Sequence, residues 1–275
     1  MNLNEILKAG REILKNDKID PREARLLLAF ALKLRKEELV KYDECSKEQY
    51  EYYQELLQKR IAGEPFAYLV GHKEFMGLEF KVNSNVLIPR EDTEILVQEV
   101  LETVRKHKRK IQILDLCTGS GCIAISLAKY LENVLVTAVD ISDKALSVAK
   151  ENAEKNKVSI QWIQSNLFEN ITETYDIIVS NPPYISSAVI EELQKEVKRE
   201  PRLALDGGKL GLDFYEIIIQ KAPKFLKSDG MLALEIGFDQ GDVVAQMMQK
   251  QGFQEVCIKK DFSGNDRVVI GCLNQ

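Results

Sequence analysis

Residues 113–124 read Ile-Leu-Asp-Leu-Cys-Thr-Gly-Ser-Gly-Cys-Ile-Ala, the form of a strand running into a glycine turn and then a helix. Glycines there let the main chain approach a ligand closely and let the helix pack tightly on the strand. Asp140 ends the next apolar run, about 20 residues on, where a carboxylate can accept hydrogen bonds from ribose hydroxyls. The pattern G-x-G-x-x-A with Asp140 fits a nicotinamide dinucleotide and an adenosyl sulfonium compound alike. Asp115 favours the second. A dinucleotide brings a pyrophosphate that a neighbouring carboxylate repels, whereas S-adenosylmethionine carries an ammonium and a sulfonium. A turn with no function is the third reading.

A second group, Asn181-Pro182-Pro183-Tyr184, follows the apolar run that ends at Ser180. Open α/β sheets bind ligands at the carboxyl ends of their strands, so this loop is expected to share a cleft with Gly119–Gly121. Two prolines hold φ and leave carbonyls that no local N–H can claim. A planar –NH2 group needs two acceptors for its hydrogens. The Asn181 side-chain carbonyl and the Pro182 main-chain carbonyl can supply them, with Tyr184 stacked on the planar face. That arrangement aims a nitrogen at an electrophilic methyl, and positioning alone can contribute ~7–11 kcal/mol without a histidine base. The bland alternative is a proline turn that merely ends a strand.

The elements that must position these residues fall into two regions. The chain has 275 residues, and ~150 residues per domain suggests two domains. Hydrophobic residues make up 45% and charged residues 29%, an ordinary globular balance. Residues 1–66 read as a helical bundle, with apolar positions Leu3, Ile6, Leu7, Ile13 and Leu14, a helix start capped by Asp20, and another at Ser46. Tyr42, Tyr50, Tyr52 and Tyr53 at helical spacing read as core. Residues 67–90 suggest a linker with a β-hairpin around Phe75–Val82. Residues 91–275 alternate strands (111–116, 134–139, 160–163, 176–180, 231–236, 254–259, 267–271) with helices such as 142–156 and 212–221, the signature of a mostly parallel sheet covered on both faces. The basic run Lys106–Lys110 reads as a solvated helix end.

Lys and Arg number 38 against 43 Asp and Glu, a net charge of −5 with pI ≈ 5.4. A chain that lives on nucleic acid is usually basic, so a stable nucleic-acid partner is disfavoured. Five scattered cysteines without a CxxC pair, and only His72 and His107, leave no supply of metal ligands. No stretch approaches a membrane span and the amino terminus lacks a signal peptide, so the expectation is a reduced, cytoplasmic protein without metal or membrane.

The motifs in this order resemble class I S-adenosylmethionine-dependent methyltransferases acting on planar nitrogen, among them adenine-N6 and guanine-N2 nucleic-acid enzymes. Three further stretches narrow the likeness: residues 69–75 (Leu-Val-Gly-His-Lys-Glu-Phe), 87–94 (Leu-Ile-Pro-Arg-Glu-Asp-Thr-Glu) and 200–208 (Glu-Pro-Arg-Leu-Ala-Leu-Asp-Gly-Gly). With them, nearly the whole chain resembles the bacterial release factor glutamine N5-methyltransferases. The resemblance implies a Rossmann-like seven-stranded α/β fold behind a small N-terminal bundle that docks the release factor. It implies methylation of the glutamine in the Gly-Gly-Gln motif of class 1 peptide-chain release factors. It maps the cofactor loop to Cys117, Thr118, Gly119, Ser120 and Gly121, the ribose carboxylate to Asp140, the adenine contacts to Asn166 and Leu167, and the substrate clamp to Asn181, Pro182, Pro183 and Tyr184, with Asn181 also near the cofactor. The Ile88–Glu94 segment would line the cofactor entrance. This chain departs from the family in having Cys117 for a common glycine, Asn166-Leu167 for an aspartate and an aromatic, and Leu210 for a frequent acid.

Overall fold

The computed structural model describes residues 1–107 and 109–273, so Lys108 of the basic run and the last two residues of the 91–275 region lie outside it. Two compact units are present: Met1–Gly71 with Gln194–Arg199, and His72–Leu193 with Glu200–Gln275.

The first unit is helical. Asn2 caps α1 (Leu3–Asn16) by accepting from the Asn4 and Glu5 N–H groups. The second helix, α2 (Glu23–Ala31), starts without a side-chain cap. Asp20, expected to cap it, instead accepts the Arg22 N–H at 2.9 Å in the turn before, because residues 21–22 are not yet helical. At α3 (Lys47–Ile61) Ser46 and Gln49 form a full capping box. A short α4 (Phe66–Val70) follows. The buried stripe of α3 runs Tyr53, Leu56, Leu57, Arg60, with the i, i+3, i+4, i+7 spacing of one helix face. Of the four tyrosines expected in the core, only Tyr53 lies on that stripe; Tyr42 and Tyr52 are exposed. Arg60 is buried between two carboxylates, Glu23 at 2.5 Å and Glu196 at 2.8 Å, so residues 194–199 belong to this unit through a charge that burial requires to be paired.

The second unit opens with a hairpin, β1 (His72–Phe75) and β2 (Leu78–Lys81), turning at Met76-Gly77. Its Phe75 and Phe80 meet edge to face with centroids 6.0 Å apart. There follow α5 (Thr93–Val104), β3 (Ile111–Leu116), α6 (Cys122–Tyr130), β4 (Val134–Asp140), α7 (Asp143–Asn156), β5 (Gln161–Gln164), β6 (Tyr175–Ser180), α8 (Ser187–Ile190), α9 (Asp213–Lys221), β7 (Leu226–Glu235), α10 (Gly241–Lys250), β8 (Gln254–Lys260) and β9 (Asp266–Leu273). The seven-stranded sheet has the order β5-β4-β3-β6-β7-β9-β8. Strands β3 to β7 pair in parallel, and β9 runs antiparallel to both β7 and β8.

Alternation along β3 divides the core. Ile111 and Ile113 join one apolar cluster with α5 and α6, and Leu114 and Leu116 join the other with Tyr215, Ile218 and Met248. The strand order reverses between β3 and β6, which opens a crevice at their carboxyl ends. Among the described residues no helix is long and apolar enough to cross a membrane, and no group of three or more His, Cys, Asp or Glu is placed to hold a metal ion.

Candidate functional site

The loop after β3 is shaped by left-handed backbone. Cys117, Gly119 and Gly121 take φ of +59°, +54° and +80°. At Gly121, which begins α6, an added Cβ would come within 3.1 Å of the Ala149 Cβ, so glycine lets α6 pack on α7. Cys117 adopts without help from glycine a conformation that costs an L-residue about 1–2 kcal/mol.

Two carboxylates organise this loop. Asp140 at the end of β4 accepts the Gly119 N–H and the Ser142 N–H, each at 2.9 Å. Burial raises its pKa and these N–H groups pull it back. Asp115 is fully buried; its Oδ2 accepts from the Thr118 hydroxyl at 2.6 Å and the Ala124 N–H at 3.2 Å. Its Oδ1 has no hydrogen-bond partner. Burial pushes its pKa up to about 7. Asp115 ties the loop to α6 from behind and is not among the residues lining the cleft.

That cleft gathers Cys117, Gly119 and Asp140 with Ser142, Asn166, Leu167, Asn181 and Pro183. Seven of the residues singled out from sequence therefore face one space. Five do not line it. Thr118 and Ser120 are buried in the loop, the first donating its hydroxyl to Asp115 and the second accepting the Asn152 amide N–H at its carbonyl, 2.9 Å away. Gly121 is the helix start, and Pro182 is buried. Tyr184 turns away, donating its hydroxyl to Glu235 Oε1 at 3.3 Å and packing against the second core cluster.

The Asn181 side chain is fixed by its amide nitrogen, which donates to the Thr93 hydroxyl at 3.2 Å and leaves Oδ1 as an acceptor. The exit of this loop is clamped from residues 205–211. Ile185 donates to the Leu205 carbonyl and accepts from the Gly207 N–H. Gln240 Nε2 donates to both the Tyr184 and the Gly211 carbonyls, at 3.1 and 3.2 Å. An added Cβ at Gly211 would lie 2.2 Å from the Tyr184 carbonyl oxygen, so only glycine admits this contact. Glu235 is buried under the loop with Oε2 lacking a hydrogen bond, and burial pushes its pKa up to about 7.

Sequence reasoning missed several residues here. The cleft edge expected from Ile88–Glu94 is formed instead by Asn85, Val86 and Leu87, and opposite them stand Pro201, Leu203 and Ala204. The two edges are joined by Glu200, which accepts the Ile88 N–H at 2.9 Å and pairs with Arg90. Phe214 supplies an aromatic ring to the same cleft. The sole local signals were the motifs at 87–94 and 200–208, which mark these stretches without saying that they meet.

A seven-stranded sheet of this order with its cleft at the ends of β3, β4 and β6 defines a methyltransferase, and residues 91–210 match the methyltransferase small domain family. A methyltransferase from Pyrococcus furiosus shares the fold, with a TM-score of 0.55 at 20% identity over 74% of this chain and 92% of that one. Residues 5–71 match a second family, the PrmC N-terminal domain. The release factor glutamine methyltransferase of Buchnera aphidicola is 41% identical over 98% of this chain and 99% of its own length. That of Clostridium acetobutylicum is 39% identical over 98% of each. The chain belongs to the release factor glutamine methyltransferase family.

Proposed function

We propose that this protein is an S-adenosylmethionine-dependent methyltransferase that modifies N5 of the glutamine in the Gly-Gly-Gln motif of class 1 peptide-chain release factors. One observation carries the reading: Asn181, with its Oδ1 left as an acceptor, lines the same cleft as Gly119 and Asp140.

The residues present fit the cofactor. Asp115 keeps an unpartnered buried oxygen behind the loop, and Asp140 stands at the loop itself. The Asp140 carboxylate at the glycine turn suits a cationic ligand and opposes a pyrophosphate. An added Cβ at Gly119 would meet nothing within 4 Å, so the loop's open side leaves room for a bound group. Asp140 would hold the ribose hydroxyls, and Asn166 with Leu167 would contact the adenine. Phe214 offers the aromatic face that Leu167 lacks. When bound, S-adenosylmethionine supplies a methyl group on a cationic sulfur.

The chain's own residues do the rest by positioning. Asn181 Oδ1 and the Pro182 carbonyl accept the two hydrogens of the glutamine amide, turning its nitrogen lone pair towards the cleft. Pro183 walls that nitrogen from one side. Holding two reactants in line can contribute ~7–11 kcal/mol. The methylated nitrogen is acidic and gives its proton to water, so no general base is needed.

Residues 1–66 are read as the docking module for the release factor, with 67–90 as linker and 91–275 as the catalytic domain. Support comes from the separate apolar core of the bundle and its own family match. An acidic protein suits a basic, RNA-facing substrate in the cytoplasm, and all five cysteines are free. The test is mass spectrometry of a release factor incubated with the protein and labelled cofactor. One methyl group is expected on the Gly-Gly-Gln glutamine, and it is lost when that glutamine is changed. Label in duplex DNA or bare RNA, with none in the release factor, would replace this reading with amino-group methylation of adenine or guanine.

A further inference from the structure

Asn181 can serve an incoming amide in only one of its two orientations. With Oδ1 outward it accepts a substrate N–H; rotated by half a turn it presents N–H to N–H and repels the substrate. The backbone of the Asn-Pro-Pro-Tyr loop does not choose between these, because the amide is nearly symmetric in shape.

The choice is made by Thr93. This residue is the first of α5, only 2% exposed, and its hydroxyl oxygen receives the Asn181 amide N–H at 3.2 Å. A hydroxyl can donate as well as accept, so something must keep its hydrogen away from Asn181. Glu235 does this. Its buried carboxylate stands beside Thr93, whose hydroxyl favours the ionised form. One of its oxygens holds the Tyr184 hydroxyl and the other has no hydrogen bond. In either protonation state this carboxyl keeps an oxygen that accepts, so it offers the Thr93 hydrogen a place other than Asn181 and leaves the Thr93 oxygen to face Asn181. The start of α5 is itself held in place, since Asp92 pairs with Arg267 at 3.2 Å and Arg267 with Asp261 at 2.9 Å.

From this geometry we infer that Thr93 is a positioning residue for methyl transfer, setting the Asn181 amide with its oxygen towards the substrate nitrogen. The inference rests on the methyltransferase reading given above. Thr93 is not among the residues that line the cleft; it acts through Asn181. The pocket edge, the glycine loop and Asp140 are untouched by its hydroxyl, so its removal is a fault of orientation and not of binding.

The experiment compares Thr93→Val, which keeps the shape and removes the oxygen, with Thr93→Ser, which keeps the oxygen, on a full-length release factor with S-adenosylmethionine. Thr93→Val is expected to lower kcat at least tenfold, with the cofactor Kd and the release-factor KM within about twofold of wild type. Thr93→Ser recovers most of that loss. Adding Thr93→Val to Asn181→Ala changes kcat by less than about twofold, because the two side chains act as one unit. An undiminished kcat in Thr93→Val overturns the inference, as does a loss that adds in full to that of Asn181→Ala. If Thr93→Val does not fold, Thr93→Ser decides alone: turnover more than tenfold below wild type, with the oxygen retained, overturns it. Wild-type protein inactive on every release factor sinks the functional reading itself, whereas active wild type with an equally active Thr93→Val sinks only this inference.

Discussion

Glu200 accepts the main-chain N–H of Ile88 at 2.9 Å across 112 residues of sequence. This bond closes the cleft, because Leu87 lies on one side of it and Pro201 on the other. Glu200 is 5% exposed and also pairs with Arg90. Glu200→Ala leaves a buried N–H without a partner, a loss of roughly 1–3 kcal/mol. Urea unfolding should show that loss. Calorimetry should show weaker cofactor binding as the two edges separate.

At Cys117 the left-handed backbone predicts opposite outcomes for two substitutions. Cys117→Gly relieves about 1–2 kcal/mol of backbone strain and gives back ~0.5–1 kcal/mol through the freer unfolded chain. Its stability should stay within about 1 kcal/mol of wild type. Cys117→Val places a β-branched side chain where φ is +59° and should be markedly less stable. Equal melting temperatures for the two variants would contradict the conformation described here.

Asp140 does two things at once, bonding the Gly119 and Ser142 N–H groups and facing the cleft. Asp140→Ala is expected to weaken S-adenosylmethionine binding by about 1.5–3 kcal/mol, the range for a hydrogen bond to a charged group. Calorimetry with S-adenosylmethionine and with NAD checks both the size and the ligand class. Micromolar binding of NAD alone would overturn the cofactor assignment.

The two fully buried carboxyls give stability a defined pH dependence. Asp115 and Glu235 are both pushed up to about 7 by burial, against roughly 4 in the unfolded chain. Between those values the folded protein holds protons that the unfolded chain releases. Their contribution is therefore fully present below about pH 4 and is lost as pH rises through 7. Asp115→Asn removes one such group. Its stability relative to wild type should rise between pH 5 and pH 8, as read by urea unfolding at each pH; a constant difference would contradict the assignment.

The local parts of this protein are written in its sequence. The β3 strand, the turn at Cys117–Gly121 and Asp140 announce themselves because strand periodicity, glycine backbone freedom and the strand-end carboxylate are all short-range signals. The Asn181–Tyr184 tetrapeptide is legible for the same reason, since prolines restrict their own backbone whatever surrounds them. The aim of each side chain is not written there. Tyr184 looks like a stacking platform in sequence, yet the tertiary structure turns its hydroxyl onto Glu235, 51 residues away. Asn181 names its own chemistry but not its orientation, which depends on Thr93, 88 residues earlier. Gln240 reaches back 56 residues to the Tyr184 carbonyl. Burial creates these pairings: once the sheet closes, each polar group taken from water must find a partner among the groups folding has brought beside it, and no sequence spacing encodes that neighbour.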